Sequence, residues 1–204
     1  RKGIPYFELG AIANAITTRG YNTVWRTNPT AADFSKAQIA FITDWYAPKL
    51  GKKPSEMRVS IAHEDSDYGT SVADSFSKMA EGAGVQIVSV EPYAANTSDL
   101  SSVIFRLRKA KPDIVMAVSY ANDAILLSRQ AYELKLKSPI LGTGGGHSLQ
   151  SFVDALGKEA NGVLNVDFTQ YATNENFAPG LKEFLALYKK TFNENPRSGH
   201  SLAN

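Results

Sequence analysis

The 204-residue sequence predicts an α/β fold, doubly wound around a mostly parallel sheet with helices on both faces. Three observations carry that prediction. Short β-rich runs alternate with amphipathic helical stretches, giving five strand candidates between residues 57 and 166. One of them, Asp113-Ile114-Val115-Met116-Ala117-Val118, is apolar almost throughout, as expected of a strand buried on both faces. Hydrophobic residues make up 43% and charged residues 21%, so the chain can bury a core as one large domain or two small ones.

The elements follow in order. Ile4-Pro5-Tyr6-Phe7 and Thr23-Val24-Trp25-Arg26 read as strands, separated by a Gly/Ala-rich loop and a short helix, and 30–46 reads as a long helix. Met57 to Ala62 is the next strand. The helix Asp67–Ala83 places Val72, Phe76, Met79, Ala80 and Ala83 at helical spacing, and Gly84 closes it. Val85 to Val90 is extended. Thr97-Ser98-Asp99 offers N-cap chemistry for a helix through Val103, Ile104 and Leu107. After Asp113–Val118 come a helix at 121–134, an extended run Pro139–Gly142, a helix at 148–156 with Ser148 as its N-cap, a strand Gly162–Val166, and an amphipathic helix Phe177–Phe192. The chain opens on Arg1-Lys2-Gly3-Ile4 and closes on Ser201-Leu202-Ala203-Asn204, so both ends read as cut and say nothing about a leader.

Composition excludes several function classes. A net charge of +2 without a Lys/Arg run gives no nucleic-acid surface, and no apolar stretch has the length of a membrane span, so neither nucleic acid nor direct membrane insertion is expected. Zero cysteines remove disulfides, thiolate nucleophiles and Cys-ligated metals. Three scattered histidines lack metal-ligand spacing, and Glu64-Asp65-Ser66-Asp67 lacks the glycine and distal glutamate of a calcium loop. It reads instead as a solvated acidic turn at a helix N-terminus. No metal, cofactor or catalytic residue is expected.

Ligands of open α/β sheets bind beyond the carboxyl ends of the strands. The segments there are Glu8–Ile12, His63–Tyr68, Ser119–Asn122, Thr143–Ser148 and Asp167-Phe168. Gly142-Thr143-Gly144-Gly145-Gly146-His147 begins like a phosphate loop, but His147 stands at the third glycine position and no lysine follows. Gly146-His147-Ser148-Leu149-Gln150 lacks the closing glycine of a nucleophile elbow. His63 and His147 beside Glu64 or Asp65 are better read as polar loop residues than as a hydrolytic pair. What remains is a cleft of small and aromatic residues, with Tyr68 and Tyr120 at equivalent places between strand and helix.

The order of motifs resembles a known family. Gly3-Ile4-Pro5, Thr18-Arg19-Gly20-Tyr21, Trp25-Arg26-Thr27, Val59-Ser60-Ile61 running into Asp67-Tyr68-Gly69, Ala83-Gly84-Val85, Asp99-Leu100-Ser101, Lys111-Pro112-Asp113 and Arg129-Gln130-Ala131 are similar to type I periplasmic solute-binding proteins, in the branched-chain-amino-acid-binding-like subgroup that serves ABC importers. The resemblance implies one complete lobe plus part of a second: 1–27 in the first lobe, 28–166 the second lobe, and 167–204 a return to the first. It implies a non-enzymatic, periplasmic or extracytoplasmic receptor whose lobes close on a small solute and deliver it to a membrane permease. The same fold also serves as a ligand-sensing domain of receptors and regulators.

Site residues follow from the same resemblance. Gly10, Ala11 and Ile12 lie where backbone amides and a hydroxyl meet an α-carboxylate, with Ile12 in place of the hydroxyl. Tyr68, Tyr120 and Asn122 lie in the matching strand-end loops, and Phe168 follows the last strand. Where amino-acid binders place an acid for the ligand ammonium, this chain has Gly144 and its neighbouring glycines. We therefore expect His147 to be the nearest polar group there, with Glu8 as a possible substitute charge from the other side. An aromatic or aliphatic carboxylate or a neutral amide then fits better than a branched-chain amino acid, because an unpaired buried ammonium is costly.

Overall fold

The computed structural model describes residues 3–169, 174–196 and 199. At its start, β1 (Tyr6–Glu8) and β2 (Val24–Arg26) pair in parallel, Tyr6 opposite Val24, with α1 (Ala15–Thr18) between them. The chain then enters α2 (Ala31–Ala40), where Thr30 and Asp33 form a reciprocal capping box. The helical run continues as a π-helical stretch, Phe41–Tyr46, into the short α3 (Ala47–Lys49).

Five strands form the main sheet: β3 (Arg58–Glu64), β4 (Gln86–Tyr93), β5 (Ile114–Val118), β6 (Ile140–Thr143) and β7 (Leu164–Val166). All pair in parallel, in the order β4-β3-β5-β6-β7. The helices between them are α4 (Asp67–Gly82), α5 (Ser101–Ala110), α6 (Ala121–Glu133), α7 (Gly145–Ser148) and α8 (Gln150–Leu156), and α9 (Leu181–Phe192) follows β7. The period of two along β5 divides the core: Ile114, Met116 and Val118 pack with α2 and α4, whereas Val115 and Ala117 pack with α5 and α6. Every residue of β5 is buried, which is why its sequence is a continuous apolar run. This is the doubly wound sheet with helices on both faces that the sequence predicts.

Three local expectations are corrected. The helix expected over 148–156 is two helices broken at Leu149, whose extended backbone (φ −70°, ψ 146°) ends α7, and Ser148 is not an N-cap but donates its hydroxyl to the Asp167 carboxylate. The last helix begins at Leu181 rather than Phe177, because Pro179 precedes Gly180 at φ 84°. Thr97 and Asp99 organise the turn before α5, accepting from the amides of Asp99 and Ser101, while the N-cap position itself falls to Leu100. Of the stretch 167–204, residues 170–173, 197–198 and 200–204 lie outside the described residues, as do Arg1 and Lys2.

Candidate ligand cleft

The chain runs from β3 outward to β4, then returns to place β5 on the other side of β3. The loops leaving β3 and β5 therefore diverge to opposite faces of the sheet, and a crevice opens between them. Tyr68 lies in the first turn of α4 after β3, and Tyr120 is the N-cap of α6 after β5. Their rings meet at that crevice, with centroids 5.3 Å apart and planes tilted by 53°.

The glycine run after β6 is shaped by these two loops. Tyr68 donates its hydroxyl to the Thr143 carbonyl at 2.7 Å, and the same hydroxyl lies 3.0 Å from where a Cβ on Gly144 would stand. Gly144 also adopts φ 63°, a conformation side chains disfavour. A Cβ on Gly146 would overlap the Ser119 carbonyl, and one on Gly142 would overlap the His147 ring. The bare backbone therefore lets three strand-end loops close on one another. Burial drives the Tyr68 hydroxyl strongly upward in pKa, so it stays a neutral donor.

Facing these loops is the segment after β1. Here the Glu8 carboxylate accepts hydrogen bonds from the amides of Gly10 (2.9 Å) and Ala11 (2.8 Å) and from the Tyr6 hydroxyl (2.7 Å). Burial acts to raise the Glu8 pKa, but the Ala11 amide, the Tyr6 hydroxyl and the Gly10 and Leu9 amides together outweigh it and hold the carboxyl below its ordinary value. The carbonyls are occupied as well: Arg26 donates to those of Ile12 and Ala13 (2.9 and 2.6 Å), and Asn28 to that of Ala11 (3.2 Å). Asn14 fastens the segment to α4 through Ser71 (3.0 Å) and Ser75 (2.8 Å).

Between this segment and the strand ends lies a cavity of about 960 Å³. Of the residues expected at the site, Gly10, Ala11, Ile12, Tyr68, Tyr120, Asn122, Gly144 and Phe168 line it. Phe34 and Ile16 add apolar wall, with Phe34 edge-on to Phe168 at 5.3 Å. Among the described residues that line it, Asp67 is the one with a formally charged side chain.

Two expected residues stand elsewhere. His147 is not the nearest polar group to the cleft: it is buried behind the glycines with its ring against Phe152, and burial lowers its pKa to about 4, so it is neutral. Glu8 does not reach into the cavity as a substitute charge, because the amides next to it hold its carboxylate. Consequently the Gly10 and Ala11 amides, expected to meet a ligand carboxylate, are already engaged.

Sequence reasoning also missed contributors. Asn96 lines the wall because β4 runs to Tyr93, three residues past the predicted end. Asp67, in a stretch whose sequence predicts a solvated acidic turn, stands on the cavity wall instead. Phe34 gave no signal beyond core periodicity. Among the described residues no hydrolytic pair lines the cavity: His63 is buried with Nδ1 2.9 Å from the Glu64 carbonyl, away from the cavity wall. Among the described residues, no group of three or more His, Cys, Asp or Glu side chains could hold a metal, and no helix is long and apolar enough to cross a membrane.

A parallel sheet with a strand-end cleft facing a second small parallel unit is the arrangement of type I periplasmic binding proteins. The family model for periplasmic binding proteins matches residues 1–204, and the chain belongs to that family. It is similar to Leu/Ile/Val-binding protein homolog 7 of Brucella suis biovar 1, with 46% identity over 99% of this chain and 51% of that protein. The chain thus spans about half the length of the curated relatives it matches. Among solved structures, the leucine-, isoleucine-, valine-, threonine- and alanine-binding protein of Brucella ovis in its closed conformation matches with a TM-score of 0.83 and 21% identity, over all of this chain and 50% of that one. A Rhodopseudomonas palustris solute-binding protein of an ABC transporter, in complex with 3,4-dihydroxybenzoic acid, matches with a TM-score of 0.74 and 24% identity, over 98% of this chain and 52% of that one.

Proposed function

We propose that this chain is part of an extracytoplasmic receptor that closes two lobes over a small organic solute and presents it to an ABC importer permease. Residues 1–27 and 167–204 contribute to the first lobe and 28–166 form the second. The observation that carries the reading is the cavity between the β1 loop and the strand ends of the main sheet, walled by Ile12, Phe34, Tyr68, Tyr120 and Phe168. A ligand there touches both lobes, so its contacts favour the closed arrangement over the open one. Tyr68 offers its ring face rather than its hydroxyl, which is spent on Thr143. The aromatic walls suit a solute with a flat or branched apolar body. The two histidines nearest to strand ends, His63 and His147, are both buried away from the cavity, which supports binding without turnover.

The test is a thermal-shift screen of the full-length protein against branched-chain amino acids, aromatic acids, aliphatic acids and small amides. A ligand that binds only the native state raises the melting temperature, by about 2.7 kcal/mol of added stability at a hundredfold excess over Kd. A rise with at least one class is expected. No rise with any class would overturn the receptor reading.

A further inference from the structure

Resting on the receptor reading above, we propose that Asn96 is a specificity-determining residue: its carboxamide serves the cleft as donor and acceptor for a hydroxyl carried on the apolar body of the solute. Ala94 to Thr97 form a tight turn, closed by the Thr97 amide on the Ala94 carbonyl at 3.2 Å, with Asn96 at φ 61°. That place in a turn calls for glycine or asparagine, the residues that reach the left-handed region at low cost. Glycine would satisfy the backbone alone. Asparagine adds a carboxamide, and Asn96 lines the cavity. The turn is held at two successive amides: Ala95 donates to Asp65 Oδ1 at 3.1 Å, and Asn96 to Oδ1 of the buried Asp123 at 3.2 Å. A side chain on a backbone fixed in this way meets a ligand without the cost of ordering a loop.

The neighbouring polar side chains on the lining are engaged within the protein. Ser66 donates its hydroxyl to Glu64 at 2.8 Å, Tyr68 donates to the Thr143 carbonyl at 2.7 Å, and the Ser119 and Tyr93 hydroxyls pair at 2.7 Å. The carboxamides of Asn96 and Asn122, also on the lining, bond to no other side chain or carbonyl among the described residues. A carboxamide holds N–H donors and an acceptor oxygen, and a hydroxyl offers one group of each kind. The two can therefore pair in either direction. A methyl group in the same place covers the carboxamide and leaves its polar atoms without a partner, which costs binding energy.

The experiment uses the full-length protein and matched pairs in which a hydroxyl replaces a methyl group: 4-hydroxybenzoate against 4-methylbenzoate, threonine against valine, lactamide against isobutyramide. Isothermal titration on the wild type is expected to give tighter binding of the hydroxyl member in at least one pair by about fivefold, the scale of one net hydrogen bond. Asn96→Gly keeps the turn, because glycine adopts φ 61° freely, and removes the carboxamide. It is expected to bring that ratio close to unity through lost hydroxyl affinity, with the urea midpoint and the affinity for the methyl member unchanged. No hydroxyl preference in any pair that binds, or a preference that Asn96→Gly leaves intact, would overturn the role of Asn96 while the receptor reading stands. Silence of every compound on the wild type would remove the receptor reading and this inference together.

Discussion

Two walls of one cleft are built on opposite principles. The β1 loop is saturated from within: its amides go to Glu8, its carbonyls to Arg26 and Asn28, and Asn14 clamps it to α4. The wall opposite is held by close approach of backbones, and among the described residues its hydrogen bonding is incomplete. Tyr120 gives α6 no side-chain cap, although the buried Asp123 accepts from the Tyr120 and Asn96 amides. First-turn amides of a helix have no partner within the helix, so this wall retains donors that the β1 loop has used up. The difference separates shape from hydrogen bonding: the first wall supplies a rigid apolar contour, the second the groups that a ligand can still satisfy.

The largest effect should come from breaking the close approach. Gly146→Ala would drive a Cβ into the Ser119 carbonyl, and backbone against backbone has no flexible end to give way. A loss of about 3 kcal/mol or more is expected in urea unfolding of the full-length protein. Gly82→Ala, where nothing lies within 4 Å, is the control and should be neutral. A tolerated Gly146→Ala would mean that the glycine and Tyr120 loops are not in contact.

A smaller effect tests the burial of His147 behind that wall. Its folded pKa of about 4 lies below the ordinary value near 6.5, so the unfolded chain binds the proton first. Stability from this group is complete above pH ~6.5 and falls as pH drops toward 4, by about 3 kcal/mol in all. His147→Gln should flatten the stability curve across that window. A variant whose curve parallels the wild type would place the imidazole in water.

The smallest effect concerns one hydrogen bond. Tyr68→Phe leaves the Thr143 carbonyl without its 2.7 Å donor and should cost about 1 kcal/mol in the same unfolding measurement, with ligand binding weakened rather than abolished. Abolition would show that the hydroxyl meets the ligand, and the contrast between the walls would then need redrawing.

How far the sequence reached follows the same division. Strands and helices were legible because hydrophobic period is a local signal: Val72, Phe76 and Ala80 announce α4, and the apolar run 114–118 announces a central strand. The strand-end rule then brought Tyr68, Tyr120, Asn122 and Gly144 to one cavity, because topology alone fixes where strands end. It failed where the outcome depended on which partner a side chain selects. Glu8 could turn to ligand or to its own loop, and His147 could face the cleft or the core. Nothing adjacent in sequence decides either choice. Asn96 was lost to a boundary error of three residues at the end of β4, and Leu149 hid its break inside a helical pattern.

Amide hydrogen exchange on the full-length protein, with and without a ligand found in the screen, tests the contrast between the two walls most directly. Slowed exchange is predicted at Ala121 and Asn122 in the first turn of α6, with little change at Gly10 and Ala11, whose amides Glu8 already holds. The reverse pattern, protection gained at Gly10 and Ala11 with α6 unaffected, would mean that the ligand displaces Glu8 and would contradict the account.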